Sequence, residues 1–276
     1  MWPLERNVVH ECVRIGRHAV ERWTGSRAAL ALAASQPLPA MAAPRPQDLL
    51  AALQGLYAQR PAVKATLVLE SAWLPLMLVD TGVALAAAEV QALVRHRLGL
   101  LYAEGGEPVA SWDLRVEHSA GDRFALGYGL PSSLKQSLLE AAQGIGLEWG
   151  ALVPAFAWGR ERLRPTRAWA RRSGWWVWPE QDRSLLARLV GDRVTALNAG
   201  APPVDDKHGA IEGLIDAECM RQGIDSTAEP IGVATWSAVP TGARAEGRLQ
   251  RFDLAGNPHR NAAESDVRPL ATKASA

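Results

Sequence analysis

Asp80-Thr81-Gly82 directly follows the apolar run Leu76-Met77-Leu78-Val79. An aspartate at the end of an apolar strand, followed by small residues, is the setting in which two carboxylates share one proton across a dyad and activate water. The tripeptide occurs once in this chain, so peptidase chemistry would need a homodimer built on Asp80. The plainer alternative is a strand-end turn, in which Asp makes a local hydrogen bond and Gly supplies permissive torsions. His10, His18, His96, His118, His208 and His259 include no pair at metal-ligand spacing with a further sulfur or acidic ligand. His10 and Cys12 fall on one face of a strand, but two ligands do not make a metal site. Ser71, Ser111, Ser132 and Ser133 lie in no Gly-x-Ser-x-Gly elbow, and no Gly-x-Gly-x-x-Gly or phosphate-binding loop is present. The residues therefore nominate no catalytic, cofactor-binding or metal site, and the chain is expected not to be an enzyme.

Tryptophan is the other unusual resource. Trp149, Trp158, Trp169, Trp175, Trp176 and Trp178 cluster in one stretch, together with Arg160, Arg162, Arg164, Arg167, Arg171 and Arg172. Such a set can be packing at a junction between lobes, a protein interface anchored by Trp and Arg, or a stacking platform for nucleic acid. A net charge of +1 gives no global field that would draw a polyanion. Packing is the first expectation and a protein interface the second.

These residues must be positioned by regular elements, and the pattern supplies them. Residues 8–15 and 18–24 read as two strands joined by a turn at Gly16-Arg17. The Ala- and Pro-rich stretch 31–48 reads as a loop or linker. Leu49, Leu50, Leu53, Leu56 and Tyr57 then recur at helical spacing. Lys64–Leu69 and Leu74–Val79 are apolar strands, and a helix over 86–102 carries Val90, Leu93, Val94, Leu98 and Leu101 on one face. Residues 112–118 alternate strictly, and Arg123–Tyr128 can pair with them as a hairpin. Pro131 opens a helix striped by Leu134, Leu138 and Ala142, with Gly144 as its cap. A strand near 147–153 and a short helix to Leu163 close this half, and the arginine run reads as an exposed linker. Strands near 174–178, 184–190 and 193–198 follow, then a helix near 206–222 capped by Gly223, then a strand near 231–236. Two lobes are expected, 1–160 and 173–246, with 247–276 a polar, aperiodic, disordered tail. Meanders alternating with helices make a mixed α/β or α+β protein.

The 276 residues, 48% of them hydrophobic, suffice for one large domain or two modest ones. Cys12 and Cys219 are far apart and read as reduced, core-facing thiols. Met1-Trp2-Pro3-Leu4-Glu5-Arg6 lacks the basic and apolar blocks of a signal peptide, and no stretch of about 20 apolar residues could span a bilayer. A cytoplasmic protein is expected.

From Glu11 to about Trp236 the chain resembles the degenerate actin-like proteins of type IV pilus and type II secretion inner-membrane platforms. The likeness is carried by Leu67-Val68-Leu69-Glu70-Ser71-Ala72-Trp73-Leu74-Pro75-Leu76-Met77-Leu78-Val79, by Ala88-Glu89, by Arg95-His96-Arg97 and by Trp112-Asp113-Leu114-Arg115-Val116. These stretches look like the pilus actin-like (PilM-like) component and the cytoplasmic domain of the secretion L subunit. The resemblance implies a bilobed, actin-like or RNase H-like fold. It also implies two phosphate turns, each with an acid and a glycine. Here the first reads Arg14-Ile15-Gly16 and the second Trp178-Pro179-Glu180-Gln181, and the glycine pair near an adenine corresponds to Val239-Pro240-Thr241-Gly242. Arg14 could salt-bridge a phosphate but could not hold magnesium. What the resemblance implies is therefore a non-catalytic adaptor without cofactor. It would dock an inner-membrane platform protein, as a homo- or hetero-oligomer, and sit at the membrane through that partner. An ATP-binding member with an atypical site is the alternative, and the Asp80 peptidase a further one.

Overall fold

The computed structural model describes residues 10–26, 29–39, 46–58, 64–82, 85–102, 107–119, 121–163, 173–201, 208–225, 229–236, 245–246 and 248–255. The first lobe is built on strands β1 (His10–Ile15), β2 (Ala19–Gly25), β3 (Leu30–Pro37), β4 (Lys64–Leu69) and β8 (Glu148–Pro154), in the order β3-β2-β1-β4-β8. The first three run as an antiparallel meander, and β4 and β8 add in parallel. Helices α1 (Pro46–Tyr57) and α3 (Ser132–Gly144) lie together on one face. Leu49, Leu53 and Leu56 of α1 and Leu134 and Leu138 of α3 bury there against Val13, Ile15, Leu67 and Leu69. The opposite face carries Cys12, Trp23 and Val68 and is covered by α4 (Ala155–Leu163) and Trp236.

An insertion separates β4 from β8. It is a three-stranded antiparallel sheet, β5 (Leu76–Asp80), β7 (Phe124–Leu130) and β6 (Asp113–Glu117), in the order β5-β7-β6, and it is covered by α2 (Ala87–Tyr102). Val90, Val94 and Leu98 of α2 fall at every fourth position and are fully buried, each worth about 1.5–3 kcal/mol. The helix lies so close that a Cβ on Gly127 of β7 would meet Val94 Cγ1 at 2.3 Å. Glu89 reaches back to the Ala86 N–H (2.8 Å) in a capping-box arrangement. The start of α3 is held from outside: Glu107 accepts the Ser132 and Ser133 N–H groups at 2.9 and 3.2 Å, satisfying two of the donors every helix start leaves unpaired.

The second lobe repeats the strand order of the first. β9 (Gly174–Pro179), β10 (Ser184–Val190) and β11 (Arg193–Ala201) form a meander, and β12 (Ile231–Thr235) and β14 (Leu249–Asp253) add in parallel. The short β13 (Ala245–Glu246) pairs with β14 to close the order β11-β10-β9-β12-β14-β13. Helix α5 (His208–Gln222) buries Ile211, Ile215 and Cys219 against Trp175, Val177 and Ile231. The other face of this sheet, with Trp176, Trp178, Leu185 and Ala187, joins the core of the first lobe. Alternation along the central strand β9 thus buries Trp175 on one face and Trp176 and Trp178 on the other.

Four expectations need correction. The stretch 31–48 contains most of an eight-residue edge strand, β3. Its side chains are mostly exposed and none is β-branched, so it lacks the alternation that announces a strand. The tail does not begin at Gly247, because β14 is an interior strand with Leu249 and Phe252 buried. Its apolar residues are three apart and give no period of two. The β1–β2 turn centres on Arg17-His18, bracketed by the Gly16 N–H to Ala19 O bond (3.0 Å). At the end of α3 it is Gly146, with φ +70°, that takes the left-handed conformation, not Gly144. The lobe boundary run 164–172, including Trp169 and four of the arginines, lies outside the described residues, as do Val239-Pro240-Thr241-Gly242 and everything beyond Ala255.

Candidate functional site

The two meanders end their first hairpins at equivalent places, and the two turns meet across the cleft between lobes. The first is Gly16 to His18, between β1 and β2. The second is Glu180 to Arg183, between β9 and β10, closed by the Glu180 N–H to Arg183 O bond (2.8 Å). A third turn, at the end of β4, starts at Glu70, whose O accepts the Trp73 and Leu74 N–H groups at 3.0 and 3.1 Å.

Side chains of these turns fill the cleft between them. Gln181 Oε1 accepts the backbone N–H groups of His18 (2.6 Å) and Ala19 (2.9 Å). Its amide lies flat over Gly16, where a Cβ would come within 2.3 Å of Gln181 Cδ. Gly16 is therefore needed for close approach, and what approaches is the chain's own glutamine. Glu180 Oε1 accepts the Ser71 N–H (2.9 Å), and its Oε2 is bonded to Ser71 Oγ. Glu70 Oε2 in return accepts the Gln181 N–H (3.2 Å). Arg17 bridges to Asp182 at 2.6 Å, and the Trp73 indole N–H caps Gly16 O at 2.8 Å.

Arg14 sits beneath this contact. Its Nε donates to Glu70 Oε1 at 2.8 Å and its Nη1 to Glu21 Oε2 at 3.3 Å, and its guanidinium lies 5.3 Å from the Trp236 ring centre. Trp236 also stacks on Trp158 at 4.5 Å, nearly parallel. Arg14 and Glu70 are both buried, so each charge is satisfied by the other and by hydrogen bonds rather than by water. Burial pushes the Glu70 carboxyl above its ordinary range, and Arg14 opposes that shift. Burial, then the charge of Glu70, pushes Glu180 up to about 7.

The N–H groups of His18, Ala19, Ser71 and Gln181 are all bonded to side-chain oxygens of the facing lobe. Arg14 is held in ion pairs with Glu70 and Glu21. Among the described residues no group of three His, Cys, Asp or Glu side chains could hold a metal ion. Cys12 is buried, and burial pushes its thiol up to about 12.

The other sequence candidates lie apart from this contact. Asp80 is an exposed turn residue at the end of β5. It accepts the Gly82 N–H at 2.9 Å and two hydrogen bonds from the Arg123 guanidinium, at 3.1 and 2.7 Å, to its Oδ2. Those bonds hold its carboxyl below the usual range, and they are the local contacts of a strand-end turn. Ser111, Ser132 and Ser133 gather around Glu107 in helix capping. Trp175, Trp176 and Trp178 are buried, so packing accounts for them and they cannot present a surface. Arg160 ties α4 to Glu117 of β6 (2.8 Å) and to Asp192 O of the second lobe (2.9 Å). Sequence reasoning singled out Arg14, Gly16 and Glu180 but missed Gln181, Glu70 and Ser71 as partners. Glu70, an acid closing an apolar strand, carried a readable signal. Gln181 carried none, because its role depends on a residue 165 positions away, Gly16.

No protein-family model matches the chain, and no curated protein matches it. Solved structures do. A chain of the PilM–PilN type IV pilus biogenesis complex aligns over 82% of this chain and 81% of its own length, at 16% identity and a TM-score of 0.51. A Bacteroides thetaiotaomicron protein of actin-like ATPase fold and unknown function aligns over 93% and 95%, at 8% identity and a TM-score of 0.52. The cytoplasmic domain of EpsL, an inner membrane component of the type II secretion system of Vibrio cholerae, aligns over 95% and 97%, at 15% identity and a TM-score of 0.48. The first two establish that the fold is actin-like, and identities this low establish nothing finer.

Proposed function

We propose that this actin-like protein is a non-catalytic adaptor that holds a partner protein instead of turning over a nucleotide. The observation that carries the reading is the filled cleft: Gln181 occupies the space over Gly16, and Glu180 takes the Ser71 N–H. An enzyme or nucleotide switch of this fold would have to break those bonds before binding phosphate. An adaptor needs only its surfaces.

The fold is shared with a chain of a complex named for type IV pilus biogenesis. This supports a partner of the same kind: a short segment of an inner-membrane platform protein of a pilus or type II secretion machine. The adaptor would then work at the cytoplasmic side of the membrane, held there by its partner. Among the described residues no helix is long and apolar enough to cross a membrane, in keeping with attachment through another protein. The outer edge of β6, at the end of the β5-β7-β6 sheet, is the surface to test first. Asp113 and Arg115 project outward there, and an extended segment could add to it as a further strand.

Two measurements test the reading. Titration calorimetry with ATP and magnesium should show no saturable binding at millimolar nucleotide, and saturable, magnesium-dependent binding would sink the non-catalytic reading. Site-specific photocrosslinking from Arg115 in the native cell should recover platform proteins. Recovery of soluble metabolic enzymes or nucleic acid alone would leave only the fold in common with the pilus complex.

A further inference from the structure

Glu70 and Glu180 each reach from one lobe to a backbone N–H of the other, Glu70 to Gln181 and Glu180 to Ser71. The exchange brings together two carboxylates of opposite lobes, Glu70 buried and Glu180 half-buried. The charged groups around them can be counted by element. β1 contributes Arg14, and β2 contributes Glu21, which shares Arg14 with Glu70. The first turn contributes Arg17, bridged to Asp182, and the exposed His18. The second turn contributes Asp182 and Arg183, bridged to each other at 2.9 Å and part-exposed. The end of α2 contributes Tyr102, which faces Arg183. Trp236 lends Arg14 a ring but no charge. Around the two carboxylates Arg14 is the one buried guanidinium among the described residues, and it already serves Glu21. If Glu70 and Glu180 are both ionised, two negative charges, one buried and one half-buried, meet at the contact joining the lobes, and Arg14 is shared between Glu70 and Glu21.

We propose that this contact is a proton-operated latch: a proton on Glu180 holds the two lobes together, and its loss loosens them. The approach of Glu70 gives the direction. Protonated Glu180 keeps both of its bonds to Ser71, because its O–H can donate to Ser71 Oγ while the other oxygen accepts the Ser71 N–H. Ionised Glu180 keeps hydrogen bonds too, but half-buried beside Glu70 it meets like-charge repulsion. Burial and Glu70 push its carboxyl up to about 7, while the bonds from Ser71 and the charge of Arg183 pull it down. The folded value lies above the unfolded one, so the folded state holds the proton more tightly. The latch's contribution is fully present below the unfolded value and is lost as pH rises through about 7. The inference stands on the contact between lobes and holds whether or not the protein is an adaptor.

The test is the distance between lobes in the full chain. Spin labels on Glu148→Cys in the first lobe and Met220→Cys in the second use exposed positions, while native Cys12 and Cys219 are buried. Pulsed dipolar spectroscopy should give one narrow distance distribution at about pH 5.5 and a second, longer component at about pH 8.5, with a midpoint near neutrality. Glu180→Gln keeps both bonds to Ser71 and removes the titration, so its distribution should stay narrow throughout. Ser71→Ala removes the hydroxyl bond, which favours the ionised form, and keeps the N–H bond, so its midpoint should move up. An unchanged wild-type distribution across the range would overturn the latch. So would a transition that survives in Glu180→Gln, or, should that variant not fold, an unshifted midpoint in Ser71→Ala.

Discussion

The β1–β2 turn and the β9–β10 turn occupy equivalent places in two sheets of the same strand order, yet they carry opposite chemistry. The first is short: Gly16 leaves room, the N–H groups of His18 and Ala19 face the second turn, and Arg17 donates to Asp182. The second is armed with long polar side chains, and Glu180 and Gln181 supply the acceptors. Repetition of a lobe has produced a donor turn and an acceptor turn that complete each other. The space between the two turns is filled by the chain's own side chains, Gln181 above all. The same division explains Arg14. A cation there serves Glu70 and Glu21, the acids that anchor the third turn and the second strand.

The comparison can be broken most severely at the sheets that carry the turns. Truncation after Gly247 removes β14, with Leu249 and Phe252 each about 1% exposed or less. It leaves the second sheet without the parallel strand that β8 provides in the first. Loss of two such side chains costs about 3 kcal/mol or more apiece, so the second lobe should not fold, which circular dichroism and protease resistance would show. A chain ending at Ala255 should retain its cooperative melt.

The next largest effect is at the charge pair. Glu70→Ala leaves Arg14 buried with only Glu21, and removing one partner of a buried pair costs about 3–5 kcal/mol. The lower end is expected, because Glu21 remains, and urea denaturation would measure it. Gly16→Val strikes the turn contact alone. It drives a side chain into Gln181 and should cost about 2 kcal/mol. Combining it with Gln181→Ala should recover part of that loss, with a coupling of about 1 kcal/mol in a double-mutant cycle. Simple additivity would mean that Gln181 does not fill the space over Gly16 in solution. The smallest effect belongs outside the cleft: Asp80→Asn exchanges one exposed turn residue for another and should leave the melting temperature unchanged. A large drop there would give Asp80 a role that its contacts with Gly82 and Arg123 do not suggest.

Much of the architecture was legible because it depends on local period. α2 announced itself through Val90, Val94 and Leu98, and β6 through its alternation. β4 and β10 fall at the expected bounds, Lys64–Leu69 and Ser184–Val190. β3 and β14 were illegible for opposite reasons. β3 is an exposed edge of small residues, and β14 is an interior strand too short and too irregularly apolar to show a period. The tryptophans could be counted in the sequence, but their burial depended on β9 being a central strand covered on both faces.

For the candidate site the division is sharper. That acid and glycine are not paired at either turn can be read from residue types alone, since Arg14 and Glu180 stand in a readable local setting. What stands there instead depends on how the sheets meet. Gln181 fills the space over Gly16, Glu180 and Glu70 exchange backbone donors, and Arg14 is neutralised from two strands. Each of these contacts joins residues brought together by the meeting of two sheets or by pairing between strands. No local period records that meeting, because the free energy that selects it belongs to the burial of a shared core and not to any one segment.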